Sequence, residues 1–208
     1  MLPFDKVYVL NLRKQKDRLQ QFASEMERID AGPYEIFYAL DGEAPFHSFC
    51  RSQHGILKKF IETKAENCLI LEDDAIFQNM NHLVFAMDEL PDGWATLHLG
   101  GNATDGVSRM MENQPEAYSR YLVRLKACWA SQGIAYNRYM AESIVNSYDP
   151  DQKQMYDDWL CEHVLPTNPC FMIRPTIVWQ RPGFSELWGN QTDYTGAWEN
   201  TDDKIMRL

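Results

Sequence analysis

Long hydrophobic runs are missing from this 208-residue chain. No stretch approaches the ~18 consecutive apolar residues that span a bilayer, so contact with a membrane is at most peripheral. Basic residues are few: 20 Lys and Arg stand against 30 Asp and Glu, a net charge of −10. A protein that tracks a nucleic-acid backbone needs a basic face, so this balance argues against DNA or RNA as a partner. It leaves room for one basic pocket that takes a small anion. Cysteine is sparse and unpaired in pattern. Cys50, Cys68, Cys128, Cys161 and Cys170 are odd in number, scattered, and contain no CxxC pair. That excludes a disulfide framework and a zinc finger, and reads as buried reduced thiols. There is no P-loop and no GxGxxG, which disfavours the common nucleotide cradles. The opening residues Met-Leu-Pro-Phe-Asp carry neither a basic nor an apolar leader segment, so a cytoplasmic setting is expected.

What is present is a globular composition, 45% apolar and 24% charged. The length suits one domain. A chain of this size buries about 70% of its unfolded surface, so it needs no covalent staple.

Hydrophobic periodicity then orders the chain. Phe4 to Leu10 reads as a strand ending at Asn11. Leu19, Phe22, Met26 and Ile29 follow at helical spacing, and Gly32-Pro33 ends that helix. Tyr34 to Leu40 reads as a strand ended by Asp41-Gly42, and Phe46 to Lys64 as a helix. Asn67 to Leu71 is a short apolar strand with Glu72-Asp73-Asp74 at its end. Met80 to Leu90 is helical, and Trp94 to Leu99 is a fourth strand. This β-α-β-α-β-α-β alternation predicts a mostly parallel sheet with helices on both faces. Further on, residues 102–116 read as a long surface loop, and Tyr121 to Leu125 and Ala127 to Tyr136 as a pair of strands. Asn137 to Tyr148 and Tyr156 to Val164 read as helices. Short extended pieces follow Pro166, and residues 189–208 form an acidic, aromatic tail.

Ligands of such sheets bind beyond the C-terminal ends of the strands. Three strand ends therefore matter. Glu72, Asp73 and Asp74 are the sharpest of them. Carboxylates crowded this closely repel unless a cation compensates, and their oxygens suit Mn²⁺ or Mg²⁺ shared with a substrate diphosphate. The same acids also suit the cap of the next helix. Asn11, Arg13 and Arg18 follow the first strand. Arginine forks onto phosphate, and Asn11 suits a sugar or base edge. Asp41-Gly42 suits ribose hydroxyls or an ordinary turn. His54 lies in the helix before the acidic strand and serves either that site or the core.

These residues resemble glycosyltransferase family 25, the lipopolysaccharide and collagen galactosyltransferase family. The resemblance is carried by Val7-Tyr8-Val9-Leu10-Asn11-Leu12-Arg13 with Asp17-Arg18, by Ala39-Leu40-Asp41-Gly42, and by Ser52-Gln53-His54 ahead of Leu69-Ile70-Leu71-Glu72-Asp73-Asp74. Cys128 to Asn137, Tyr156-Asp157-Asp158-Trp159-Leu160 and Pro175 to Gln180 with Phe184 to Leu187 extend it over residues 4–188. The resemblance implies a single GT-A-like, Rossmann-like α/β domain over residues 1–188, with residues 189–208 as a tail of no assigned role. It implies metal-dependent, inverting transfer of a hexose, galactose or glucose, from a UDP-sugar to a glycan hydroxyl in surface oligosaccharide synthesis. A modified nucleic-acid base or protein hydroxyl is the alternative acceptor, and a non-catalytic nucleotide-sugar-binding module the alternative role. Inversion needs a base apart from the metal cluster. Asp157 and Asp158 are the candidates, both also suited to a helix start, with Glu186 next. Trp159, Trp179 and Trp188 are candidate platforms for the acceptor sugar.

Overall fold

The computed structural model describes residues 1–39, 44–103 and 113–208. The chain opens with β1 (Lys6–Asn11), α1 (Lys16–Arg28), β2 (Glu35–Tyr38), α2 (Pro45–Ile61) and β3 (Asn67–Glu72). It continues through β4 (Ala75–Phe77), α3 (Asn81–Glu89), β5 (Thr96–His98), β6 (Glu116–Ala117), β7 (Leu122–Arg124) and β8 (Gly133–Asn137). Then come α4 (Arg138–Ser147), α5 (Tyr156–His163), β9 (Cys170–Ile173), β10 (Val178–Gln180), β11 (Gly183–Ser185), β12 (Asn190–Thr192) and α6 (Thr195–Ile205).

Eight strands form one sheet in the order β2-β1-β3-β8-β5-β9-β7-β6. β1 pairs in parallel with both β2 and β3, and β5 with β9, while β8 and β7 run against their neighbours. The architecture is mixed α/β, with most strands pointing one way. β1 and β3 are buried on both faces, which is why VYVL and CLIL are unbroken apolar runs. Alternate residues feed two cores. Tyr8, Ile70, Ile134 and Tyr136 face Leu57, Phe60, Ile144 and Leu160 of α2, α4 and α5. Val7, Val9, Leu69 and Leu71 face Phe22, Met26 and Leu83 of α1 and α3.

One expectation needs correcting. The segments 121–125 and 127–136 are not a strand pair. β7 lies between β9 and β6, whereas β8 inserts between β3 and β5. The fourth strand of the sequence reading is present as β5, one place from β3. Periodicity reports which residues are buried, not which strand lies beside which.

The first turns are locally encoded. Pro45 starts α2, where its missing N–H costs nothing. Asn137 caps α4, its Oδ1 accepting from Met140 N–H at 2.7 Å. Gly100 marks a close backbone approach, since a Cβ there would lie 1.7 Å from the Val178 carbonyl oxygen. That approach lets β10 pair with β4 just beyond the acidic turn. The last twenty residues are packed against the rest. Trp198, Thr201 and Ile205 of α6 are buried. Asp202 accepts from Thr176 N–H at 2.8 Å, and Arg174 Nη1 donates to the Ile205 carbonyl at 3.0 Å.

Candidate functional site

The ends of β1 and β3 lie on one edge of the sheet, with Leu10 beside Glu72 and Asn11 beside Tyr38. A cavity of about 430 Å³ opens there, within the range of small-molecule sites. Its walls draw on distant parts of the chain: Leu12, Lys14 and Arg18 after β1, Pro45 and Phe49 of α2, and Glu72 to Asp74 after β3. Trp129 to Gln132 ahead of β8, Asp157 of α5, Gln180 of β10, and Ser185 to Trp188 with Tyr194 and Trp198 complete it.

The acidic turn is buried and tightly held. Asp73 Oδ2 accepts from Asn11 Nδ2 at 2.6 Å. Arg18 pairs with Asp73 and, at 2.7 Å, with Asp74. Asp74 Oδ2 also accepts from Gln180 Nε2 at 3.1 Å, and the Asp74 carbonyl accepts from Arg181 N–H at 2.8 Å. Glu72 accepts from Ser131 Oγ at 2.8 Å. Burial raises all three carboxyls above their ordinary range, Asp73 to about 6. Neighbouring carboxylates add to this at Glu72 and Asp73, and Arg18 opposes it at all three. One guanidinium cannot neutralise three carboxylates, so the turn favours a further positive charge.

Does the donor set suit a divalent cation? Asp74 Oδ1 is buried with no hydrogen-bond partner among the described residues. An orphaned carboxylate oxygen beside Glu72 is a hard donor of the kind Mn²⁺ and Mg²⁺ take. No three His, Cys, Asp or Glu side chains converge as a closed cage among the described residues. The set therefore fits an open site in which substrate oxygens complete the coordination, with Glu72 and Asp74 as the protein's share. Asp73 is committed to Arg18 and Asn11.

Asp157 lines the same cavity from the first turn of α5. Its carboxylate accepts from Ala130 N–H at 3.2 Å and from Asp158 N–H at 3.0 Å. Burial raises its pKa. Ala130 holds φ +73, a left-handed conformation that costs an alanine roughly 1–2 kcal/mol. The turn that aims an N–H at Asp157 is thus held under strain.

Several residues singled out from the sequence lie elsewhere. Asp158 does not line the cavity. It accepts from Trp129 Nε1 at 2.9 Å and so orients an indole that does. Arg13 is exposed, its guanidinium 4.2 Å from the centre of the Tyr38 ring. His54 turns away from the cavity. Its Nε2 lies 3.2 Å from the Val145 carbonyl, and its ring meets Tyr148 edge-on. The cause is helical spacing. His54 shares a stripe with Cys50 and Leu57, both fully buried against α4. Arg18 shares its stripe with Phe22 and Met26, which turns it inward to the acids. Asp41 and Gly42 lie outside the described residues. Trp159 is buried against Tyr148 and His163. Trp179 donates to Thr176 Oγ1 at 2.9 Å. Only Trp188 of the three tryptophans lines the cavity.

Three further residues of the resembling segments meet the site through tertiary contacts. Gln132 Nε2 donates to Gln180 Oε1 at 2.9 Å, and Gln180 passes the link to Asp74. Glu186 accepts from Lys14 Nζ at 2.8 Å and Gln15 Nε2 at 2.6 Å, bonds that hold its carboxyl below the ordinary range.

Among solved structures, the chain is similar to a glycosyltransferase involved in the glycosylation of the major capsid of PBCV-1. Identity is 12% and the TM-score 0.51, over 98% of this chain and 100% of that one. The chain has the GT-A-like fold of a glycosyltransferase. It is also similar to A197 from STIV, at 12% identity and TM-score 0.49, over 90% and 94% of the two chains. A third is a Drosophila β-1,4-galactosyltransferase 7 complex with manganese, UDP-Gal and xylobiose, at 12% identity and TM-score 0.38, over 67% and 51%. No family model matches the chain, and no curated protein matches it. At these identities the likeness concerns the fold alone, and no helix among the described residues is long and apolar enough to cross a membrane.

Proposed function

We propose that this protein transfers a hexose from a nucleoside-diphosphate sugar, UDP-galactose or UDP-glucose, to a hydroxyl of a glycan, with inversion at the anomeric carbon. The observation that carries this reading is one cavity that gathers acids from two elements: Glu72 and Asp74 from the end of β3 and Asp157 from α5. The fold shared with a capsid-glycosylating enzyme supports it. So does the sequence resemblance to glycosyltransferase family 25, which points to surface oligosaccharide such as lipopolysaccharide and a cytoplasmic site of action.

A divalent cation on Glu72 and Asp74 would offset the charge that grows on the departing diphosphate. Arg18 anchors that turn by fixing Asp73 and Asp74. Leu12, Pro45 and Phe49 supply apolar surface for the nucleoside. Asp157, from α5, takes the proton of the acceptor hydroxyl. The hydroxyl oxygen bonds to the anomeric carbon as the bond from that carbon to the diphosphate oxygen breaks. The electron pair leaves with the diphosphate, and the proton stays on Asp157. Burial suits Asp157 to the task by raising its basicity, and the Ala130 and Asp158 N–H groups keep it aimed.

The test is thermal stabilisation by UDP-, GDP- and CMP-sugars, with and without Mn²⁺. A UDP-sugar shift that grows with Mn²⁺ and is lost in Glu72→Gln is expected. Stabilisation by none of the nucleotides would refute the reading. A cation-dependent shift without sugar transfer to any hydroxyl would leave a binding module instead.

A further inference from the structure

The mechanism above leaves the aromatic C-terminal segment unused, yet Trp188, Tyr194 and Trp198 all line the cavity. We infer that this segment is the acceptor subsite and that it takes an uncharged hexopyranose, seated against Trp188 with a ring hydroxyl on Trp198 Nε1. The inference rests on the transfer reading and narrows the acceptor's chemistry.

Trp198 is 2% exposed, and its Nε1 has no hydrogen-bond partner among the described residues. A buried indole N–H is ordinarily paired, because leaving it bare forfeits a hydrogen bond that water would make. The ring is packed on nearly every side, and no described protein group meets its N–H. The helix that carries it is tied down through Asp202 to Thr176 and through the Ile205 carbonyl to Arg174. Gln132 Oε1, on the same cavity, is a second buried atom without a partner. One donor and one acceptor are therefore unmet. A hydroxyl-bearing ring satisfies both.

Trp188 supplies the complementary apolar surface. It is 62% exposed although it lines the cavity, so a large apolar face stands open at the mouth. The backbone beneath it is fixed, with Trp188 N–H donating to Ser185 Oγ at 3.2 Å and Gly189 N–H to the Ser185 carbonyl at 2.8 Å. Behind it the Tyr194 ring stacks on Trp198 with centroids 6.3 Å apart. A pyranose presents one C–H face and a rim of hydroxyls, which matches an aromatic plate beside polar atoms.

Charge sets the class of sugar. Among the described residues the lining holds Glu72, Asp73, Asp74, Asp157 and Glu186 against Lys14 and Arg18. Lys14 is paired with Glu186, and Arg18 with Asp73 and Asp74. Among the described residues the lining thus offers no spare positive charge to a phosphate, sulfate or carboxylate on the acceptor. A neutral sugar meets no such penalty.

The experiment follows the indole N–H signals of the ¹⁵N-labelled protein, with UDP and Mn²⁺ present. Methyl glucoside, galactoside and mannoside are titrated in turn, then glucose 6-phosphate and glucuronate. At least one neutral glycoside should shift the Trp188 and Trp198 signals saturably, and the charged sugars should bind at least about tenfold more weakly. Trp188→Ala should weaken the neutral sugar at least about tenfold, and Trp188→Phe should restore most of the loss, the scale of one aromatic contact. UDP affinity in both variants should stay within about twofold, well under that contact. Equal binding of a charged sugar overturns the inference. So does an unchanged affinity in Trp188→Ala, or UDP binding with no response of either indole to any neutral glycoside. Indole shifts with glycoside but no binding of UDP would uphold the subsite and sink the transfer reading instead.

Discussion

His98 should make this protein lose stability in mild acid. It sits at the end of β5, flanked by Ile134 and Met172 on the neighbouring strands. It is fully buried, and neither ring nitrogen has a hydrogen-bond partner among the described residues. Burial alone lowers its pKa from 6.5 to about 3. In the unfolded chain the ring takes a proton near pH 6.5, while in the folded protein it stays neutral down to about pH 3. The stabilising contribution is therefore complete above pH 6.5 and fades as pH falls. At about 1.36 kcal/mol per pH unit, the loss is about 1.4 kcal/mol at pH 5.5 and about 2.7 kcal/mol at pH 4.5. Acid groups complicate the raw curve, because burial raises Glu72, Asp74 and Asp157 and works in the opposite direction. The clean measurement is a difference. Urea unfolding of the parent and of His98→Leu, from pH 7.5 to 4.5, isolates this ring. The variant fills similar space without unpaired nitrogens, so it should match or exceed the parent at pH 7.5 and outlast it increasingly below pH 6. Parallel pH curves for the two proteins would refute the reasoning, because they would mean that His98 takes its proton as readily folded as unfolded.

Other outcomes follow from the cavity. Glu72→Gln and Asp74→Asn should each cut sugar transfer by at least ~100-fold, while the metal-free protein melts at a higher temperature because repulsion in a buried turn is relieved; calorimetry and a UDP-release assay check both. Asp157→Asn should lower turnover by about 10²–10⁴-fold with donor affinity nearly unchanged. The acid limb of the parent's kcat profile should lie above the ordinary carboxylate range, since the base works only when ionised and burial raises its pKa. Weakened donor binding in that variant would make Asp157 a donor ligand. Ala130→Gly should be neutral or stabilising by up to about 1 kcal/mol, and Ala130→Val destabilising by more than about 1 kcal/mol, because φ +73 suits glycine and clashes with a branched side chain; denaturant midpoints decide it.

The sequence carries some of this more clearly than the rest. The β1-α1-β2-α2-β3 run is legible because α1 and α2 repeat their apolar residues at helical spacing, while β1 and β3 are short unbroken apolar runs. The acidic turn is legible because three carboxylates after NCLIL suit few structural purposes. Strand order is not, since β8 enters between β3 and β5 through pairings that no local pattern encodes. Arg13, Arg18 and His54 look equivalent as residue types, yet they differ in what surrounds them. Arg18 stands one helical repeat from Phe22 and is drawn inward, His54 shares its stripe with Cys50 and Leu57, and Arg13 lies in a turn. Asp157 and Asp158 part company for a similar reason, one residue of rotation sending them to the cavity and to Trp129 respectively. The partners of Gln132 and Gln180 are not legible even though both residues lie in the resembling segments, because a glutamine's partner is set by tertiary approach.

The pairing of β4 with β10 joins neighbours of the acidic turn to residues a hundred positions later, and Trp198 follows later still. A chain emerging from the ribosome therefore makes its charged turn long before Gln180 arrives to hold Asp74, and it gains its last cavity wall only once Trp198 has followed. Loop closure over such distances is slow. During that interval the three acids stand in water, where repulsion is mild and screened. Their burial comes late, as one of the final events of folding. Nascent chains halted before β10 should thus be inert toward nucleotide sugars, and activity should appear all at once rather than in stages.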